Sequence, residues 1–349
     1  MISRKFTIWA CGLLFVFGSC AEDMVKPIEN DKDAPGTVQD VKTESLPGAV
    51  KFTYTLPSDP DLLYVLAKYT NKTGKVMEFR SSFYTNSVTV EGFGDTDTYK
   101  VELYTVDRSE NRSQPQIVEV VPLTPPILSC YESLSMVSDF GGMTFEMDNR
   151  FKSDLAIYVC TPDELGDMVL AETFYSAREE IVYSVRGYDA VPRRFGIFLQ
   201  DKYGNETDTL FTELTPIYER ELDKTKFREM YLQNDSRVDS YDGKMEYVWN
   251  GRISKDGDSG GVGLHTGTGT KDGPAVFTFD LGVLAKLSRF ALWAIQDEKH
   301  FYNDMSPRRY EVWGCATEPN PDGSWDQWVK LLDMENVKPS GSYRYPDGR

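Results

Sequence analysis

Pro274-Ala-Val-Phe-Thr-Phe-Asp280-Leu-Gly282 is an alternating apolar run closed by an Asp-Leu-Gly turn, and it sets the class of the chain. Similar runs follow at Leu287-Ser-Arg-Phe-Ala-Leu-Trp293, Pro307-Arg-Arg-Tyr310-Glu-Val-Trp313-Gly314, Gly323-Ser-Trp325-Asp-Gln-Trp328-Val-Lys-Leu and Val337-Lys-Pro-Ser-Gly341. Apolar residues at every second position, rich in β-branched and aromatic types and broken by Gly, Pro, Asn and Asp, predict successive antiparallel strands. The expected class is all-β.

Working outward, residues 34–217 read as a duplication. Gly48–Tyr54 aligns with Gly142–Asp148, Tyr64 with Tyr158, and Asp107-x-x-x-Asn111-x-Ser113 with Asp201-x-x-x-Asn205-x-Thr207, each pair 94 residues apart. Repeats at a fixed period report repeated structural units. Within the first copy, Val50–Leu56, Leu62–Tyr69, Ser87–Val90 and Tyr99–Val106 alternate as strands, with turn residues between them at sandwich spacing. The Asp/Asn element suits a hairpin turn, because Asn tolerates a left-handed backbone and Asp binds its own main chain. Four Asn-x-Ser/Thr sequons, at Asn71, Asn111, Asn205 and Asn234, are read as turns. Proline-rich junctions at Pro122–Pro126 and Leu214–Pro216 mark domain ends.

The spaced motifs carry two resemblances. The first two modules resemble fibronectin type III or immunoglobulin-like domains. The set F-x-F-D-L-G, Y-E-V-W-G, S-W-D-x-W and K-P-S-G resembles the factor five/eight type C (discoidin, galactose-binding-like) domain, in the variant that ends surface lipoproteins of Bacteroidetes polysaccharide-utilisation loci. The implied architecture is two tandem immunoglobulin/fibronectin III-like sandwiches followed by a discoidin-like jelly-roll β-sandwich. Its expected bounds are 34–125, 126–217 and 218–349, after a signal at 1–19 and a tether at 20–33. That family continues with further strands after Lys-Pro-Ser-Gly, so the third domain is expected to be incomplete at Arg349. Leu281, Phe290 and Val312 would then be left exposed.

At the other end, Arg4 and Lys5 precede the short apolar run Phe6–Phe17 and the small residues Gly18-Ser19 before Cys20. This pattern is a secretory signal, and Cys20 fits the lipidated cysteine of a bacterial lipoprotein. An ordinary signal with a chance cysteine is the alternative. Ala21-Glu22-Asp23 resembles the Bacteroidetes signal for export to the outer leaflet, which implies an outer-membrane, lipid-anchored protein facing outward. Glu22–Pro35 is polar and aperiodic, as a tether should be.

Net charge is −17, which repels phosphate backbones and excludes nucleic acid as an expected partner. With two histidines in no zinc-protease pattern and no Cys-x-x-Cys, no nucleophilic, zinc or thiol-redox site is read, and no enzyme is expected. Cys130 and Cys160 are read as lying on different strands, either bridged or as buried free thiols.

The discoidin resemblance implies carbohydrate binding. Sugars are held by flat aromatic faces with a few fixed polar groups, and every tryptophan after the signal lies in the third module. Trp293 and Trp313 are read as core. Trp249, Arg252, His265, Tyr302 and Arg309 are the candidate ligand contacts. Asp256-Gly-Asp258 offers two carboxylates on a Gly-rich turn, a pairing that suits a structural calcium; no other cofactor is expected. Expected partners are an oligo- or polysaccharide, the membrane through the lipid, and transporter-complex proteins. The rival reading is a structural or adhesion protein whose tip binds a protein.

Overall fold

The computed structural model describes residues 32–238, 240–253, 263–266, 274–293, 302 and 307–338. Cys20, Asp256, Asp258 and His300 lie outside them. The chain divides into two compact units, up to Ile217 and from Tyr218 onward.

The first unit holds two seven-stranded sandwiches. In the first, β1 (Gln39–Leu46), β2 (Ala49–Thr55) and β5 (Ser87–Glu91) form one sheet in the order β1-β2-β5. The other sheet has the order β4-β3-β6-β7, from β3 (Leu62–Thr70), β4 (Val76–Ser82), β6 (Tyr99–Asp107) and β7 (Gln116–Val120). Every pairing is antiparallel. A three-stranded β1-β2-β5 sheet facing a four-stranded β4-β3-β6-β7 sheet is the fibronectin type III arrangement.

Alternation explains the strands. Along β2, Val50, Phe52 and Tyr54 point inward, while Lys51, Thr53 and Thr55 do not. Tyr99, Val101 and Leu103 do the same along β6. Fully burying one such aliphatic or aromatic side chain contributes about 1.5–3 kcal/mol. Phe93, just past β5, completes the core by stacking on Tyr69 at 4.4 Å between ring centroids.

The second sandwich repeats the plan with β8 (Ser135–Asp139), β9 (Gly142–Asp148), β10 (Leu155–Pro162), β11 (Met168–Ser176), β12 (Glu180–Arg186), β13 (Arg193–Asp201) and β14 (Leu210–Leu214). Its sheets run β12-β9-β8 and β11-β10-β13-β14 around Phe145, Ile157, Phe195, Ile197 and Leu199. A helix, α1 (Pro126–Ser133), precedes them. Proline at the first helical position costs no hydrogen bond, because that N–H has no intrahelical acceptor. Cys130 is therefore on a helix, not on a strand as the sequence suggested. Its thiol is buried and free, and burial pushes it up to about 11. Cys160, on β10, is also free.

The duplication is present, but its single register is not. Gly48 and Gly141 occupy the same left-handed position in the β1–β2 and β8–β9 turns, with φ of 62° and 63°. The counterpart of Gly48 is thus Gly141, not Gly142, and Phe52 matches Phe145. Aligning Gly48 with Gly142 had set buried Phe52 over exposed Glu146. On the next strand Val65 faces Thr105 while Ile157 faces Leu199, so Tyr64 matches Ala156 instead of Tyr158. The spacing of 94 holds at the later hairpins alone, where Asp107 and Asp201 end β6 and β13. One residue of slip turns a strand's buried set outward, so burial decides the register.

In the second unit the described residues form two antiparallel pairs. β15 (Arg228–Met230) pairs with β16 (Thr278–Asp280), and β17 (Arg309–Gly314) with β18 (Val329–Glu335). Leu287–Trp293, read as a strand, has no ladder partner among the described residues. Trp293 is 61% exposed rather than core, and Trp313 is half-buried. Phe290 is 46% exposed; Leu281 and Val312 are half-buried.

Candidate functional site

A groove in the second unit is built around Trp249. Its floor starts with the β15–β16 pair, in which Glu229 faces Phe279. Asp235 ties that pair to the following loop: Oδ1 accepts from the Thr278 hydroxyl at 3.1 Å and Oδ2 from the Leu232 N–H at 3.0 Å. A 3-10 turn, Met245–Val248, is pinned by fully buried Met245 and capped by Trp249. The Trp249 ring then packs against Phe279 at 5.2 Å and edge-on to Phe227 at 5.8 Å.

The open groove has a volume of about 450 Å³ and is lined by Lys224, Thr225, Glu246, Tyr247, Trp249 and Asn250. That volume falls in the range of small-molecule sites. Gly251 turns the chain away at φ 76°, and the Asn250 side chain accepts from the Arg252 N–H at 2.8 Å. The groove's charges are paired. Lys224 lies 2.5 Å from Glu221, and Lys244 lies 3.6 Å from Glu246; the hydrogen bond from Lys224 holds the Glu221 carboxyl below its usual range. Aromatic faces beside an amide and compensated charges can seat a neutral polar ligand by stacking and hydrogen bonding. A smaller concavity of about 300 Å³ in the second sandwich, between Ser129 and Arg150, has no aromatic wall.

Of the residues singled out in the sequence, Trp249 lines the groove, and Arg252 follows it in the turn. His265 sits against Tyr241, with ring centroids 5.6 Å apart. Tyr302 is 40% exposed, at φ 54°. Arg309 is on β17 and donates to Glu335 at 3.2 Å. With Arg308 it holds the Glu335 carboxyl below its ordinary range. His265, Tyr302 and Arg309 do not line the groove. Sequence reading missed Lys224, Glu246 and Tyr247, whose signal is only proximity to Trp249 along the chain or across a fold. A second aromatic cluster joins Trp313, Trp325 and Trp328, with centroids 4.9 and 6.1 Å apart; Trp325 is 46% exposed.

Three models of domains of unknown function match the chain: DUF4959 over residues 35–122, DUF5126 over 123–225 and DUF5000 over 249–345. A solved SusE-like protein is 99% identical, and the match covers 35% of this chain and 70% of that one at a TM-score of 0.34. The chain belongs to the SusE-like family. Two fibronectin type III domains of chicken tenascin match at 14% identity, covering 52% of this SusE-like chain and 99% of theirs at a TM-score of 0.26. A fibronectin domain of human collagen alpha-1(XX) matches at 14% identity, over 28% of this chain and 92% of its own, with a TM-score of 0.24. No curated protein matches. The fibronectin assignment made above rests on strand order.

Proposed function

We propose that this SusE-like protein is a non-catalytic, lipid-anchored protein of the outer-membrane surface that captures glycan, with the Trp249 groove as its binding site. Membership of the SusE-like family supports the setting. The observation that carries the site is the half-buried Trp249, held by Phe227 and Phe279 above a groove with Asn250 at its rim. A discoidin-like jelly roll for residues 218–349, lipid on Cys20 and calcium at Asp256 and Asp258 belong to the same proposal.

The test is glycan-array binding by the full chain, repeated with Trp249→Ala. Losing a stacking aromatic from a sugar site should weaken binding at least tenfold while the melting profile of the first unit stays unchanged. Equal binding by the variant would remove the groove from the reading. Calcium would show as a rise in the second unit's melting temperature that chelator reverses.

The second reading, a protein partner, has its own observation. Leu284, Trp293, Val329 and Leu331 are 49–78% exposed, and exposed apolar groups that gather into one patch mark interaction sites. A transporter-complex component that co-purifies with wild type but not with Trp293→Ser/Val329→Ser, with glycan binding retained, would support this reading beside the first.

A further inference from the structure

The hairpin that closes β13 does more than turn the chain. In both sandwiches one aspartate organises it. Asp107 accepts from the Ser109 and Asn111 N–H groups at 2.8 Å and from Asn111 Nδ2 at 2.9 Å. Asp201 accepts from the Tyr203 and Asn205 N–H groups at 2.9 Å and from Asn205 Nδ2 at 2.8 Å. The tips differ: Ser109 in the first copy stands where Tyr203 stands in the second.

That tyrosine reaches the first sandwich. Its hydroxyl donates to the Glu91 carboxylate. Burial and that acceptor push the phenol above its ordinary range, so it stays a donor throughout the neutral pH range. Asn205 Nδ2 also donates to the Gly92 carbonyl at 3.1 Å, and Asn205 is only 8% exposed. The receiving loop is shaped for this approach. A Cβ on Gly92, at φ 85°, would lie 2.8 Å from the Tyr203 ring, and one on Gly94 would lie 2.6 Å from the Asn205 side-chain oxygen. Only glycine lets the backbone come that close. Below the loop, Tyr69 donates to the Glu91 carbonyl at 2.9 Å and is itself buried in the core. The linker fixes the sandwiches at a second point: the Gly48 N–H donates to the Leu123 carbonyl at 3.0 Å, and the Pro126 ring lies 3.1 Å from where a Gly48 Cβ would stand.

We propose that the β13–β14 hairpin is an interdomain latch that makes the two sandwiches one rigid strut. Domains joined through a linker alone are expected to move against each other. The two attachments meet at Gly48, whose carbonyl accepts from the Gly92 and Phe93 N–H groups at 3.1 Å, so linker and hairpin, the latter with a buried side-chain amide, brace one continuous joint against hinge motion. Tyr203 is the residue that turns a generic hairpin into the latch, because the same turn without it, at Ser109, is built equally well.

The test is pulsed electron-spin distance measurement on the full chain, with labels introduced at residues 84 and 175, one on each sandwich. Both native tyrosines are well exposed, at 84% and 74%. Wild type should give one narrow distance distribution. Gly94→Ala/Tyr203→Ser should broaden it at least twofold while amide protection in both cores is retained. A broad wild-type distribution, or a narrow one in the double variant, would overturn the latch. If Gly94→Ala disturbs the first core, Tyr203→Ser alone decides, since it inserts nothing: broadening supports the proposal and an unchanged distribution overturns it.

Discussion

Asp139 shows how one side chain can hold a sheet's outer face. It accepts from Arg186 Nη2 and the Thr144 hydroxyl, both at 2.8 Å, and from the Phe140 N–H at 2.8 Å. Burial raises its carboxyl, but those donors together with Ser184 outweigh burial and leave it below its ordinary range. A carboxyl depressed in the folded state contributes stability that is present above the unfolded value, about 3.9, and is lost as pH falls through the folded one. Asp139→Asn should therefore cost about 1–3 kcal/mol at pH 7, read from urea midpoints. The gap to wild type should narrow as pH drops from about 4. A gap independent of pH would mean that packing, not charge, is what the substitution removes. At this scale the candidate site was partly legible. Trp249 stood out as a tryptophan beside a loop rather than within an alternating run. Tyr247 and Lys224 were invisible because a 3-10 turn and a distant β15–β16 pair bring them to it. Arg309, read as a ligand contact, faces Glu335 on the next strand, β18, a pairing that no local motif announces.

The hairpins are the elements where sequence and structure meet most directly. Asp107 is fully buried with three donors on it, so Asp107→Ala leaves three donors without their acceptor. Losing hydrogen bonds to a charged acceptor costs about 1.5–3 kcal/mol each before relaxation. The expected loss for the first sandwich is about 2–4 kcal/mol, with part of the turn re-bonding to water. Asp107→Asn, which keeps one acceptor oxygen, should lose less. Urea unfolding followed through the first sandwich measures both, and equal effects would contradict the bonding pattern. The Asp-x-x-x-Asn spacing made this hairpin readable because every atom of it is local. Register elsewhere was not readable: loops between strands vary by one residue at little free-energy cost, and such changes shift one strand against another without leaving a motif. The edge strand β4 was missed for a related reason. Its exposed and half-buried residues alternate as Val76-Met-Glu-Phe-Arg-Ser-Ser82, and too few of them are apolar to announce a strand.

At the scale of the whole molecule, burial is divided unequally. Each sandwich of the first unit encloses a continuous core, with Phe52, Val65 and Leu103 in one and Phe145, Phe195 and Ile197 in the other fully buried. Among the described residues of the second unit, the buried hydrophobic residues are Val238 and Met245, while Leu284 is 78%, Val329 64% and Trp293 61% exposed. Apolar burial contributes about 25 cal/mol per Å², so leaving several large side chains in water forgoes several kcal/mol. That is comparable with the whole margin of an ordinary domain, about 5–15 kcal/mol. Calorimetry of the full chain should then show two transitions, the lower belonging to the second unit. A dye that binds exposed apolar surface should report on that unit before heating begins. The lower transition should respond to ligand, since anything that binds only the folded state raises its apparent stability. An upward shift with the glycan identified on the array, absent in Trp249→Ala, would place binding and instability in the same unit. A single transition shared by both units would contradict the unequal division of burial, and a shift confined to the upper transition would assign the ligand to the sandwiches instead.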